Sequence, residues 1–428
     1  MLLYDAVVFD LDGTLTDSER GITNCVAYAL QQMGREVPPM ETLRKFIGPP
    51  LAVTFPQYCG MNEEETKRAV QLYRERYLPV GWKENRVYPG IRSLLKMLKA
   101  RGAHVFVATG KPQAPSERIL HYFGLDRYID GVAGPSDEVP YDGKASLIRR
   151  AMQGYEARRA VMIGDRASDV EGALEAGIEG IGVSYGFGEI GEFDPIGCPV
   201  AEDVEALSTL LMETPLEKKG YFISVEGLDG CGKTTQSDAI ESRLRDMGYI
   251  VRRSREPGGC PISEKIRALL LDVKNTGMSD ITEALLYAAS RAQHVHQVIR
   301  PALERGEVVL CDRFVDSSVA FQGGGRELGV PLIQRINAPA VEGCLPDTTI
   351  LLQLDHETAL KRRGSVSVLD RIESEKAAFH ARVEAAYAAL AREDAARFIT
   401  VDASQTPEAI TDQILAALLQ RMDAAEVV

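Results

Sequence analysis

Phe9-Asp10-Leu11-Asp12-Gly13-Thr14-Leu15 and Gly227-Leu228-Asp229-Gly230-Cys231-Gly232-Lys233-Thr234 decide how this chain is read. Each follows a segment that reads as a buried strand, Ala6 to Phe9 in one case and Tyr221 to Glu226 in the other. In the first, two carboxylates two residues apart sit just past a strand end, where ligands of parallel sheets bind. Carboxylates this close repel unless a cation lies between them, and a hard divalent ion such as Mg²⁺ answers that need and also neutralises phosphate. In the second, glycines let backbone N–H groups curl around phosphate, Lys233 reaches the β- and γ-phosphates, and the Thr234 hydroxyl binds Mg²⁺. The strand before it and the helix after it supply the context that such a P-loop requires.

Outward from these two stretches the chain alternates strand and helix twice. Strands of the buried parallel type are expected at Ala6 to Phe9, His104 to Ala108, Ala160 to Ile163 and Gly180 to Val183. A second series runs through Tyr221 to Glu226, Ile250 to Arg253, Val308 to Cys311, Thr349 to Leu354 and Arg397 to Val401. Helical periodicity covers Ile91 to Arg101, Asp169 to Ala176, Asp280 to Glu304 and Glu373 to Arg392. Such alternation implies α/β architecture with two doubly wound parallel-sheet domains. About residues 18–85 are mostly helical in pattern and are expected to form an inserted cap. The polar, Pro-containing stretch 214–219 is expected to link a domain of residues 1–213 to one of residues 220–428.

Composition sets the outer limits. At 428 residues the chain is long enough for two cores. Its 45% apolar and 26% charged content is that of ordinary globular protein. A net charge of −13 argues against a nucleic-acid or anionic-membrane surface. No apolar run approaches the roughly 20 residues that span a bilayer. The chain opens directly on its first strand, with no leader pattern, and its seven cysteines include no C-x-x-C pair. A cytoplasmic protein with reduced thiols is expected.

Further pieces accompany the first signature. Thr109 follows a second strand, Lys144 precedes a helix, and Gly164-Asp165-Arg166-Ala167-Ser168-Asp169 follows a third strand. In order and context these resemble the four motifs of the haloacid dehalogenase (HAD) superfamily, in particular its phosphoglycolate phosphatase-like and 5′-nucleotidase-like members. Phe46-Ile47-Gly48-Pro49-Pro50-Leu51 and Tyr185-Gly186-Phe187-Gly188 add to the likeness. The resemblance implies that Asp10 attacks phosphorus and that Asp12 serves as acid and base. It implies that Thr109 and Lys144 hold phosphate, and that Asp10, Asp165 and the backbone carbonyl of Asp12 ligate Mg²⁺ with Asp169 in support. The implied reaction is hydrolysis of a small phosphomonoester through an aspartyl-phosphate. The alternative is a non-catalytic module of regulatory or structural use.

The second signature alone leaves kinase, GTPase and ATPase open. Around it lie Arg255-Glu256-Pro257-Gly258-Gly259, the helical Leu286-Tyr287-Ala288-Ala289-Ser290-Arg291, then Asp312-Arg313-Phe314. Ser318, Phe321 and Gln322 come next, and Asp370-Arg371-Ile372-Glu373 closes the set. Together these resemble bacterial thymidylate kinases, which implies transfer of the γ-phosphoryl group of ATP to dTMP, giving dTDP for dTTP synthesis. Such transfer needs positioning and charge neutralisation rather than a general base. By the resemblance, Arg255 and Arg313 hold the dTMP phosphate, and Asp229 accepts from the sugar 3′-OH. Tyr287 stacks on thymine and Arg291 reaches O4. Ser318 and Gln322 lie beside the base, Phe321 lies by the sugar, and Asp312 orients the waters of Mg²⁺. A homodimer through the long helices is also implied. The alternative acceptor is another nucleoside monophosphate.

The sequence departs from the family at one point. Thymidylate kinases carry a catalytic arginine in the P-loop or in the lid before D-R-x-E. Here the P-loop has Gly230-Cys231, and Gly364 and Val366 stand where the lid type often has arginine. Arg362, Arg363 and Arg371 are the candidates that remain. His294 and His296, two apart on a helix, do not share a face and read as structural.

Overall fold

Every residue of Ala6–Phe9 and of Tyr221–Gly227 is buried, as expected of central strands covered on both faces by helices. A computed structural model of the protein describes residues 2–136, 138–213, 220–363, 371–372 and 375–425, with the side chains of His356 and Arg363 left aside. The chain divides into two compact units, Met1–Glu217 with Arg245–Gly248, and Lys218–Leu244 with Tyr249–Val428. Residues 214–219, where the linker is expected, lie outside the described residues.

In the first unit six parallel strands lie in the spatial order Gly131–Ala133, His104–Ala108, Ala6–Phe9, Ala160–Gly164, Glu179–Val183, Val200–Ala201. The two edge strands, of three and two residues, were not expected from the sequence. They are too short to show a pattern, and only pairing with a neighbour makes them strands. The cap is helical as expected, with helices Glu19–Gln32, Met40–Arg44, Leu51–Cys59 and Glu63–Tyr77 around their own apolar cluster of Val26, Leu30, Phe46, Ile47 and Phe55. The longest of these begins at a capping box, where Asn62 and Glu65 satisfy each other's backbone N–H groups. A two-residue antiparallel ribbon, Thr16–Asp17 against Arg86–Val87, joins cap to core.

In the second unit five parallel strands lie in the order Val251–Arg255, Val308–Asp312, Tyr221–Gly227, Thr348–Gln353, Phe398–Asp402. The long helix expected from Asp280 to Glu304 is interrupted by a π-helical turn at Val295–Ile299 before it resumes as Arg300–Glu304. Pro301 accounts for the interruption, because it has no N–H to donate and its ring crowds the carbonyl one turn back. On the flank of the sheet, Arg397 binds Asp316 through two hydrogen bonds of 2.6 and 3.0 Å, and Thr349 Oγ1 donates to the same carboxylate at 3.0 Å. Removal of one buried partner strands the other charge. Asp316→Ala is expected to destabilise this unit by about 3 kcal/mol in urea-induced unfolding.

Candidate functional site

Three adjacent strands of the first unit, His104–Ala108, Ala6–Phe9 and Ala160–Gly164, end side by side and deliver Thr109, Asp10 and Asp165 to one place. Lys144 and Asp169 arrive from the first turns of the helices Lys144–Ala151 and Ala167–Ala176. Lys144 Nζ lies 2.8 Å from Asp10 Oδ1 and 2.6 Å from Asp169 Oδ1, and donates to the Ala108 carbonyl at 3.1 Å. Burial opposes the charge on Lys144, but its two carboxylate neighbours outweigh burial and raise its pKa.

Asp10, Asp165 and Asp169 each offer a carboxylate oxygen within 4.8 Å of the others. One lysine does not balance three carboxylates. Burial, then the charges of Asp10 and Asp169, push Asp165 up to about 8. Burial also pushes Asp10 up to about 6, against the pull of Lys144. Asp165 Oδ2 accepts from the Phe187 N–H at 2.7 Å, while its buried Oδ1 has no hydrogen-bond partner among the described residues. Hard oxygen donors, an orphaned carboxylate oxygen and a shortage of positive charge together fit a divalent cation such as Mg²⁺. Two glycines hold the space for Asp165. A Cβ on Gly13, whose φ is +86°, would lie 2.1 Å from Asp165 Oδ2, and one on Gly186 would lie 2.4 Å from Asp165 Cβ.

The Asp12 side chain is engaged elsewhere. Its Oδ2 lies 2.5 Å from Lys111 Nζ, and its buried Oδ1 has no hydrogen-bond partner among the described residues. The Lys111 N–H donates to Thr109 Oγ1 at 3.2 Å, which leaves the threonine hydrogen free to donate. Lys111 was not singled out in the sequence, although its position two residues after Thr109 places it at the same strand end.

In the second unit a cavity of about 430 Å³ opens at the carboxyl ends of the strands. Asp229, Gly230, Gly232, Lys233 and Thr234 of the P-loop line one side. Arg255 and Asp312, the last residues of two neighbouring strands, and Arg313, which follows the second, line another. Tyr287 and Arg291, one turn apart on helix Asp280–His294, face it together with Ser318, Phe321 and Gln322. Gly227, Leu228 and Cys231 are buried behind the loop. Gly227, Gly230 and Gly232 all have positive φ, and a Cβ on Gly230 would lie 2.3 Å from the Ala359 carbonyl oxygen.

The cations of the cavity hold internal partners. Lys233 Nζ donates to the Leu228 carbonyl at 2.8 Å. Arg255 pairs with Glu264 at 2.9 Å, and Arg313 with Asp229 at 2.7 Å. Burial alone would raise Asp229, but Arg313 and Lys233 hold its carboxyl well below the usual range. Arg291 is almost fully enclosed. Its guanidinium binds Glu256 Oε2 at 2.8 Å, Ser318 Oγ at 3.0 Å, the Phe314 carbonyl at 3.0 Å, and Asn337. Glu256 also bonds His294 Nδ1 at 2.9 Å, and His294 Nε2 meets Ser254 Oγ at 2.6 Å. His294 is thus a core residue, and His296 is exposed.

Of the lid candidates, Arg362 bonds the carbonyls of Ala403 and Ser404, and Arg371 bonds the Leu270 carbonyl and pairs with Glu283. Neither is among the residues that line the cavity. The Arg363 side chain and residues 364–370, which include Gly364 and Val366, lie outside the described residues.

Sequence reading also passed over Glu226, one residue before the P-loop. It is fully buried and accepts from the Phe314 N–H at 2.7 Å, Ser317 Oγ at 2.6 Å and the Tyr387 hydroxyl at 2.8 Å. It thereby anchors the turn that starts at Arg313, whose φ of +67° is left-handed. Burial and the charge of Asp316 push Glu226 up to about 7. Above the ordinary glutamate value of about 4.3 and up to that point, the folded unit keeps a proton that the unfolded chain releases. Stability of this unit is therefore expected to fall as pH rises from about 4.5 to 7, and Glu226→Gln to flatten that part of the stability–pH curve.

Comparison with known proteins finds relatives of each half of the chain. The profile of the family described as Thymidylate kinase matches residues 225–414, and that described as Haloacid dehalogenase-like hydrolase matches residues 7–183. The thymidylate kinase of Limosilactobacillus fermentum is 47% identical over 205 residues, which cover 47% of this chain and 96% of that protein. That of Leifsonia xyli subsp. xyli is 50% identical over 204 residues, covering 47% of this chain and 96% of that protein. Among solved structures, a predicted phosphatase from Clostridium acetobutylicum is 41% identical, with a TM-score of 0.46, and covers 50% of this chain and all of its own. The chain therefore belongs to the thymidylate kinase family through its C-terminal half, which is fused to an N-terminal HAD-like hydrolase domain.

Proposed function

We propose that the C-terminal domain, residues 220–428, phosphorylates dTMP to dTDP at the expense of ATP, for dTTP synthesis. The observation that carries this reading is a single cavity in which P-loop residues meet Arg255, Arg313 and the base-facing group of Tyr287, Arg291, Ser318 and Gln322. Lys233 leaves the Leu228 carbonyl for the β- and γ-phosphates of ATP. Arg255 and Arg313 leave Glu264 and Asp229 for the dTMP phosphate, and Asp229 is then free to accept from the 3′-OH. Tyr287 stacks on the base and Phe321 lies by the sugar. Thr234 and Asp312 would hold Mg²⁺, which supplies charge neutralisation when bound. An oxygen of the dTMP phosphate attacks the γ-phosphorus, the bond from that phosphorus to the β–γ bridging oxygen breaks, and ADP leaves. That oxygen is already anionic, so no base is required. The arginine on the transferring group comes from the lid, among Arg362, Arg363 and Arg371.

The N-terminal domain, residues 1–213 with a cap at about 18–85, hydrolyses a small phosphomonoester. Asp10 attacks phosphorus and the leaving oxygen departs with a proton from Asp12. Water then cleaves the aspartyl-phosphate and gives its proton back to Asp12. Thr109 and Lys144 hold phosphate oxygens. Asp10, Asp165 and the Asp12 carbonyl, with Asp169 in support, would hold Mg²⁺, whose charge offsets that of the phosphate and the carboxylates. Convergence of Asp10, Lys144, Asp165 and Asp169 in one buried cluster favours catalysis over a purely regulatory module. Residues 214–219 link the domains, and the protein acts in the cytoplasm. A homodimer is assigned to the helices Pro261–Leu271 and Asp280–His294, which expose Ile262, Leu269, Ile281 and Leu285.

Two assays test these assignments. Against a panel of phosphomonoesters, Asp10→Asn is expected to lower hydrolysis by roughly a thousandfold or more while dTMP phosphorylation is unchanged. Equal hydrolysis by both proteins ends the phosphatase assignment. With ATP as donor, dTMP is expected to be turned over in preference to dUMP, dCMP and dGMP, and any other preference ends the dTMP assignment.

A further inference from the structure

We propose that Glu283 sets the base specificity of the acceptor site by fixing which end of the Gln322 amide faces the cavity. Glu283 lies one turn before Tyr287 on helix Asp280–His294 and is completely buried. Its Oε1 accepts from Gln322 Nε2 at 2.9 Å and from Arg326 Nε at 3.3 Å. Its Oε2 accepts from an Arg326 terminal nitrogen at 3.1 Å and lies 2.7 Å from one of Arg371. Two guanidinium groups thus hold one carboxylate in place, and the remaining reach of that carboxylate goes to Gln322.

The chemistry of this contact decides the orientation of the amide. A carboxylate accepts hydrogen bonds, so only the NH₂ end of Gln322 can face it. The amide oxygen is turned the other way. Among the described residues it has no hydrogen-bond donor, it is not a buried orphan, and Gln322 lines the cavity. The cavity therefore offers an acceptor from Gln322 beside the donor group of Arg291. A base edge with a carbonyl next to an imide N–H matches that pair, as in thymine and uracil. Cytosine presents an amino group and a ring-nitrogen lone pair at the same positions. Both would be left unpaired in an enclosed site, the arrangement that rejects a substrate most strongly. With the amide reversed, Gln322 would donate to the ring nitrogen of cytosine and lose its match to the imide N–H. Glu283 forbids that reversal from one layer behind the substrate.

This inference deepens the dTMP reading and rests on it. The test is kcat/KM for dTMP, dUMP and dCMP, with KM for ATP, in the full-length protein and in Glu283→Gln, Gln322→Met and the double variant. A glutamine at 283 can accept or donate, so it no longer dictates the amide. The dTMP:dCMP ratio of kcat/KM is expected to fall about tenfold to a hundredfold in Glu283→Gln, with KM for ATP unchanged. In the Gln322→Met background the Glu283 substitution is expected to cause no further fall, because the two residues act through one contact. A lower Tm with an unchanged ratio would show a merely structural residue and overturn the proposal. Should Glu283→Gln fail to fold, Gln322→Met decides alone, and an unchanged ratio there has the same force. A wild-type preference for dUMP would overturn the dTMP reading and leave the role of Glu283 standing, whereas a preference for dCMP would overturn both.

Discussion

Parallel strands end together, and whatever follows those ends is forced into one place. In the first unit three adjacent strands bring Thr109, Asp10 and Asp165 side by side, although about 55 to 155 residues separate them in the chain. In the second unit the same geometry brings the P-loop, Arg255 and Arg313 to the rim of one cavity. The helices that cross back between strands add the remaining groups from their first turns, as with Lys144 and Asp169. The sheet is therefore the device that collects charge, and it needs no long-range specificity beyond strand order and register.

Charge collected in this way has to be held without cancelling its use. Each cation of the kinase cavity is paired with an internal group of the protein, Lys233 with a carbonyl, Arg255 with Glu264, Arg313 with Asp229. In the proposed reaction these partners would be exchanged for phosphate oxygens, and the largely enclosed Lys233 and Arg313 would not have to shed a full shell of water. In the hydrolase unit Lys144 and Lys111 play the same part for Asp10 and Asp12, while Asp165 keeps an unmatched oxygen.

Three buried glutamates, of which Glu256 lines the cavity, support the wall of the kinase site. Glu226 holds the turn that carries Arg313, Glu256 holds Arg291, and Glu283 holds Gln322. Each fixes a group that faces the cavity, so the precision of the cavity wall depends on carboxylates that do not line the acceptor-facing surface themselves, save Glu256 at its edge. Long polar side chains lose rotamer freedom when fixed, and these contacts meet that entropy before any ligand arrives.

Local residue order by itself determined the two strand–loop signatures, the alternation that implies two parallel sheets, and the helical cap. Each of these rests on neighbours in the chain: glycine spacing, apolar runs, and carboxylates two residues apart. Tyr287 and Arg291 were also legible, because four residues along a helix return to one face. The pairing of Lys111 with Asp12, of Glu226 with the turn after Arg313, and of Glu283 with Gln322 was decided only by tertiary structure. So were the short edge strands and the places of Arg362 and Arg371 outside the cavity lining. The partners in these contacts lie roughly 40 to 100 residues apart, and a charged residue in sequence does not reveal which distant group will neutralise it. Sheet order and helix packing make that choice, because burial leaves a charged group no alternative to the partner the fold provides.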